Sequence, residues 1–200
     1  MRKVVFIACF GMAIPPTVSP ASSSQAVIGS SIVCAALTPY KSRVTFTTEQ
    51  RVAMAREEHA KLRALANVNL PIAKTMILIM LSSGHHTFTN LSYVATRDKR
   101  GLWTVDRVGR TTYEFPEIPP DVEPVTRSVL TKDAGKGLDA LVADSCLYTQ
   151  PFMTAENGPP PLNGWSTGLA VITPKREYAG YASGPIPSVG GKVVTAVTGW

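Results

Sequence analysis

The sequence predicts an α+β fold. It would be a single domain with an antiparallel sheet of five to seven strands and one or two helices packed on one face, after an N-terminal signal peptide. Three observations carry that expectation. Two neighbouring runs alternate aromatic and β-branched residues around a short polar loop, as hairpins do. One long segment repeats apolar residues at spacings of three and four behind a capping box. Finally, 200 residues less a leader of 26 leave enough chain for one core and too little for two comfortable ones.

In chain order, Arg2 and Lys3 precede an apolar run, Val4 to Ile14, which Pro15 and Pro16 break before a small and polar stretch. That order of charge, apolar run and small residues is that of a secretory signal peptide. The run is too short to span a bilayer. Cleavage fits after Ala21 or after Ala26; the second divides the chain into a signal peptide, 1–26, and a domain, 27–200. An uncleaved anchor and a lipid-modified Cys9 are weaker alternatives, because Pro15 ends the run early and Cys9 lies inside it.

Residues 27–46 read as a lead-in with a short strand around Ser31–Leu37. Thr47 with Gln50 forms a capping box that opens a helix over about Thr48–Asn67, its apolar face carrying Val52, Ala55, His59, Leu62 and Ala66. The segment LPIAKTMILIML, 70–81, is too short and too interrupted to cross a membrane, and reads as a central strand over Thr75–Ser82. Residues 87–96 and 102–108 form the hairpin, with Gly101 free to take positive φ in the loop. A third strand is expected at 110–115, then a proline-spaced surface connection at 116–124. Leu138–Leu147 reads as a helix, 155–164 as a loop rich in breakers, and 169–174, 177–183 and 192–199 as three further strands.

Composition excludes some partners. Signal cleavage would remove Arg2 and Lys3 and lower the net charge from +6 to +4. The remaining basic residues are scattered, and RDKR at 97–100 belongs to a turn, so there is no nucleic-acid stripe. After cleavage no membrane partner is expected either; a protein or small-molecule ligand is. Cys34 and Cys146 form an even pair in a chain bound for an oxidising compartment, periplasmic or extracellular, and are expected to be bridged.

Chemistry could reside in two places. GWSTG, 164–168, matches the Gly-x-Ser-x-Gly pattern of nucleophile elbows, which join a buried strand to a helix. Here a proline-rich segment precedes Ser166, a strand follows it, and no histidine lies downstream. Only the order histidine, acid, serine survives, with His85 or His86, then Asp106, Asp121 or Asp144, then Ser166. The paired histidines also lack the neighbours of a zinc site, since adjacent residues of an extended segment point to opposite faces. No metal and no cofactor is expected. Tyr93, Trp103 and Trp165 could line a pocket, although aromatics alternating on strands are more often core. The leading expectation is therefore an exported, non-enzymatic binding or structural module. The alternative is a small serine hydrolase using Ser166 with His85 or His86.

Overall fold

A computed structural model of the chain describes residues 33–41, 45–84, 87–115, 117–154 and 164–199, all within one compact unit, Ile32–Trp200. Residues 1–26, where the signal peptide is read, lie outside the described residues, as do His85 and His86.

The first element is helix α1, Thr48–Leu65, opened by the expected capping box. The Thr47 hydroxyl accepts from the Gln50 N–H at 3.2 Å, and the Gln50 side chain accepts from the Thr47 N–H at 2.9 Å. Asn67, in the left-handed region at φ 56°, turns the chain after it. Strand β1, Met76–Ser83, then runs between β2, Thr87–Arg97, and β6, Trp165–Ile172. Strand β3, Trp103–Tyr113, pairs with β2, and its outer edge receives the short β4, Asp121–Val122, and β5, Thr126–Val129. Strand β7, Glu177–Ser183, pairs with β6. The order is β4-β3-β2-β1-β6-β7 with β5 beside β3, and every pair is antiparallel. Gly101 has φ 84° in the β2–β3 loop, as the hairpin reading requires.

Strand alternation divides the core into two layers. Met76 and Leu78 point to the side of α1, where Val52, Val94, Ala170 and Ala179 meet them. Ile77, Ile79 and Leu81 point to the other side. There they pack with Trp103, Leu138, Leu147 and Val193 beneath helices α2, Lys132–Ala143, α3, Ser145–Thr149, and α4, Val189–Thr198. The α+β class and the antiparallel sheet are as the sequence predicts. The helices number four among the described residues, and they cover both faces of the sheet rather than one.

Local differences have identifiable causes. The strands expected at 102–108 and 110–115 are one continuous β3: Gly109 stays in register opposite Leu91, and a Cβ there would come within 2.6 Å of the Glu123 carboxylate. The helix expected at 138–147 is two helices. Thr131 caps the first, while Asp144 turns extended and caps the second by accepting from the Cys146 N–H at 2.8 Å. The strand expected at 192–199 is the helix α4: Val189, Val193, Val194 and Val197 are buried at helical spacing, and Gly199 ends it at φ 77°. The proline-spaced connection contains β4, β6 begins at Trp165 rather than 169, and residues 33–37 form no strand. Cys34 and Cys146 are disulfide-bonded with Cα atoms 5.4 Å apart, which ties the lead-in to α3. Buried Gln150 reinforces that tie, donating to the Ala35 carbonyl at 3.0 Å and accepting from the Val189 N–H at 3.1 Å.

Candidate functional site

Helix α1 lies across the sheet from β7 to β3, and buried polar contacts hold its second half. His59 is buried, and its Nδ1 lies 2.7 Å from the Ser92 hydroxyl on β2. Burial, with the nearby Arg63 charge, pushes the His59 pKa down to about 3, so the ring is neutral at ordinary pH. One turn on, the fully buried Arg63 donates through Nη2 to Asp106 on β3 at 3.4 Å. Asp106 also accepts both branches of Arg127 on β5, at 2.7 and 2.8 Å. The hydrogen bonds from Arg127, and then the charges of Arg127 and Arg63, hold that carboxyl below the usual carboxylate range against the opposing effect of burial. Among the described residues, Nε and Nη1 of Arg63 have no hydrogen-bond partner.

This anchoring leaves part of the sheet face uncovered. The register aligns Arg110 on β3 with Asn90 on β2, Ser82 on β1, Ser166 on β6 and Ser183 on β7. Residues paired in this way share a face, so a polar row crosses five strands on the side of α1. Ser82 donates to the Asn90 side-chain oxygen at 2.7 Å, and Ser166 donates to the Ser82 carbonyl at 3.2 Å. Arg110 makes no ion pair among the described residues, and its buried Nε has no hydrogen-bond partner. The neighbouring row places Met80, Gly168 and Tyr181 in register on the same face.

One flank of α1 walls this floor through Arg51, Met54, Glu58, Lys61 and Leu65, spaced by three or four residues. Two cavities follow that flank, of about 610 Å³ beside β7 and about 730 Å³ towards β3. Glu58, Gly168 and Tyr181 line both, so the two form one groove. At 1.5 Å per residue, the wall from Arg51 to Leu65 is about 20 Å long. The β7 end is open and exposes large apolar side chains beside Arg51: Tyr40 is 43% exposed, Phe46 45%, Met54 44% and Tyr181 56%. The β3 end is polar and carries the Arg110 guanidinium.

The described residues among those singled out from sequence are dispersed. Ser166 is the second residue of β6, on a strand rather than a turn, with its hydroxyl proton on the Ser82 carbonyl. Its proposed partners His85 and His86 lie outside the described residues. Of the acids considered with it, Asp106 is engaged by two arginines, Asp144 caps α3 and Asp121 lies in β4. Trp103 and Tyr93 belong to the core under α2–α4 rather than to a pocket rim; Trp103 is 1% exposed, and its indole donates to Asp139 at 2.9 Å. Trp165 borders a separate cavity with Leu81, Ile186 and Val194.

Sequence reading missed Arg110, Asn90, Ser82 and Tyr181. Each is unremarkable alone, and only strand register brings them together. Among the described residues, no three His, Cys, Asp or Glu side chains cluster as a metal site. Among them, too, no helix is long and apolar enough to cross a membrane. No family model, curated protein or solved structure matches the chain.

Proposed function

We propose that this protein is an exported, non-enzymatic binding module whose ligand occupies the groove between α1 and the open part of the sheet. The observation that carries this reading is the groove itself: an exposed apolar end, continuous with a polar row that ends at an arginine with no ion pair among the described residues. Exposed apolar surface costs solubility, and a buried donor without a partner costs of the order of 1–3 kcal/mol. A ligand would relieve both. Export is supported by the charge, apolar run and small-residue order of residues 1–26, and by the disulfide, which persists in oxidising compartments. The secreted chain would begin at Val27 and work in the periplasm or outside the cell.

Two measurements test this. N-terminal sequencing of the chain from the exported fraction should begin at Val27; an intact Met1 there overturns the leader reading. Native mass spectrometry of that material should show a non-covalent adduct that is lost on combined Met54→Ser and Tyr181→Ser substitution. A bare mass for the native chain overturns the binding reading.

A further inference from the structure

The two ends of the groove differ in the chemistry they offer, and the difference specifies a class of ligand. At the β3 end the floor offers two donor side chains, Arg110 and Asn90, because Ser82 and Ser166 spend their hydroxyl protons within the row. Among the described residues Arg110 makes no ion pair, and its Nε has no hydrogen-bond partner. Asn90 uses its side-chain oxygen to accept from Ser82, which leaves its amide N–H groups to donate. Lys61, on the wall above, is salt-bridged to Glu57 at 2.6 Å, so the uncompensated cation of this end is Arg110. Donors of this kind select an anion, and a guanidinium matches the two oxygens of a carboxylate with two parallel hydrogen bonds. At the β7 end, Phe46, Met54 and Tyr181 present exposed apolar surface, with Arg51 and Glu58 as the charged side chains of that lining, and the methionine adapts to an irregular shape. Glu58 is the one carboxylate among the described residues lining both cavities, and it lies between the ends. It would repel an anionic head displaced along the groove and so set the direction of binding.

We infer that the ligand is a single-chain amphiphile with a carboxylate head, its head on Arg110 and Asn90 and its chain running along α1 to Met54, Phe46 and Tyr181. This rests on the binding reading above and narrows it. A groove about 20 Å long, walled by side chains of α1, suits an extended aliphatic chain.

The test is a fluorescence titration of the disulfide-bonded chain with dansyl-undecanoate and with its methyl ester, which removes the charge and keeps the chain. The acid should bind at least about tenfold more tightly than the ester, the scale of a charge-assisted hydrogen-bond pair. Arg110→Gln should weaken the acid by about tenfold or more and leave the ester within about twofold, whereas Arg110→Lys should recover part of the loss. Combined Met54→Ser and Tyr181→Ser should weaken both probes. Should Arg110→Gln fail to fold, judged by circular dichroism, the acid-to-ester ratio of the native chain and of Arg110→Lys still decides. Equal binding of acid and ester, or an Arg110→Gln variant that folds and binds the acid unchanged, overturns the inference. If neither probe binds while native mass spectrometry shows an adduct, the amphiphile is wrong and the binding reading stands. If neither probe binds and the mass is bare, both fall.

Discussion

Beneath α2, α3 and α4 the sheet buries a cluster of twenty residues that includes Trp103, Leu138 and Leu147, whereas beneath α1 only seven cluster. The first layer is apolar almost throughout, is crossed by the disulfide, and is fitted closely enough that a Cβ on Gly180 or Gly190 would strike the Phe152 side chain at 2.3 or 2.7 Å. The second is held by a histidine–serine hydrogen bond and an arginine–aspartate pair, and it leaves the polar row open. Apolar burial stabilises at about 25 cal/mol per Å², while buried ion pairs return little net stability. Stability therefore belongs chiefly to the closed face. The open face is free to hold groups that stability alone would not select.

Substitutions can break or sharpen this contrast, and the largest effect is expected at the disulfide. The bridge spans a sequence separation of 112, for which the chain-entropy model gives about 4–5 kcal/mol. Cys34→Ser with Cys146→Ser should lower the denaturant midpoint accordingly; an unchanged midpoint would mean that the closed face needs no staple. Next, Trp103→Ala should cost about 3–5 kcal/mol in equilibrium unfolding, since it removes a fully buried indole and leaves Asp139 without that donor. A loss below 1 kcal/mol would contradict the division of labour between the faces.

The open face has its own signature, in pH. The His59 pKa is about 3 folded against an ordinary 6.5 unfolded, so between these values the unfolded chain takes up a proton that the folded chain refuses. The contribution of this group is fully present above pH 6.5 and is lost as pH falls towards 3, at up to about 1.4 kcal/mol per pH unit. Unfolding free energies of the native chain and of His59→Gln, measured from pH 7 to 4, should converge as pH falls. Parallel curves would remove His59 from the account. The smallest stability effect belongs to the groove: Tyr181→Ser, at a side chain more than half exposed, should change stability by about 0.5 kcal/mol or less while weakening the adduct expected in native mass spectrometry. A large loss of stability there would show that the groove is part of the core.

What was legible in the sequence follows the range of the interactions involved. The capping box at Thr47 and Gln50, the RDKRG hairpin and the break in polarity around β1 are local, and each appears where residue type and spacing place it. The misreading at 192–199 has a physical cause. A valine- and threonine-rich run carries strand propensity, yet burial at 189, 193, 194 and 197 repeats at helical spacing. Tertiary packing prevailed, because Gly190 lets the Phe152 ring come close and a Cβ on Gly191 would lie 1.9 Å from the Ile186 carbonyl oxygen. The site was less legible still. Arg110 belongs to a segment read as a strand and Ser166 to one read as a turn before a strand, and no local rule connects them.

By itself the sequence determined the α+β class, the start of the first helix, the central hairpin and the cysteine pair, all set by short-range periodicity, capping and parity. It also sorted each strand into two sets of side chains, because alternation has a period of two. Only the tertiary structure decided which set met three helices and which met one. The strand register then decided that Arg110, Asn90, Ser82 and Ser166 stand in one row. A shift of one residue in any pairing would turn that strand's side chains to the opposite face, so the groove depends on an alignment that no single segment encodes.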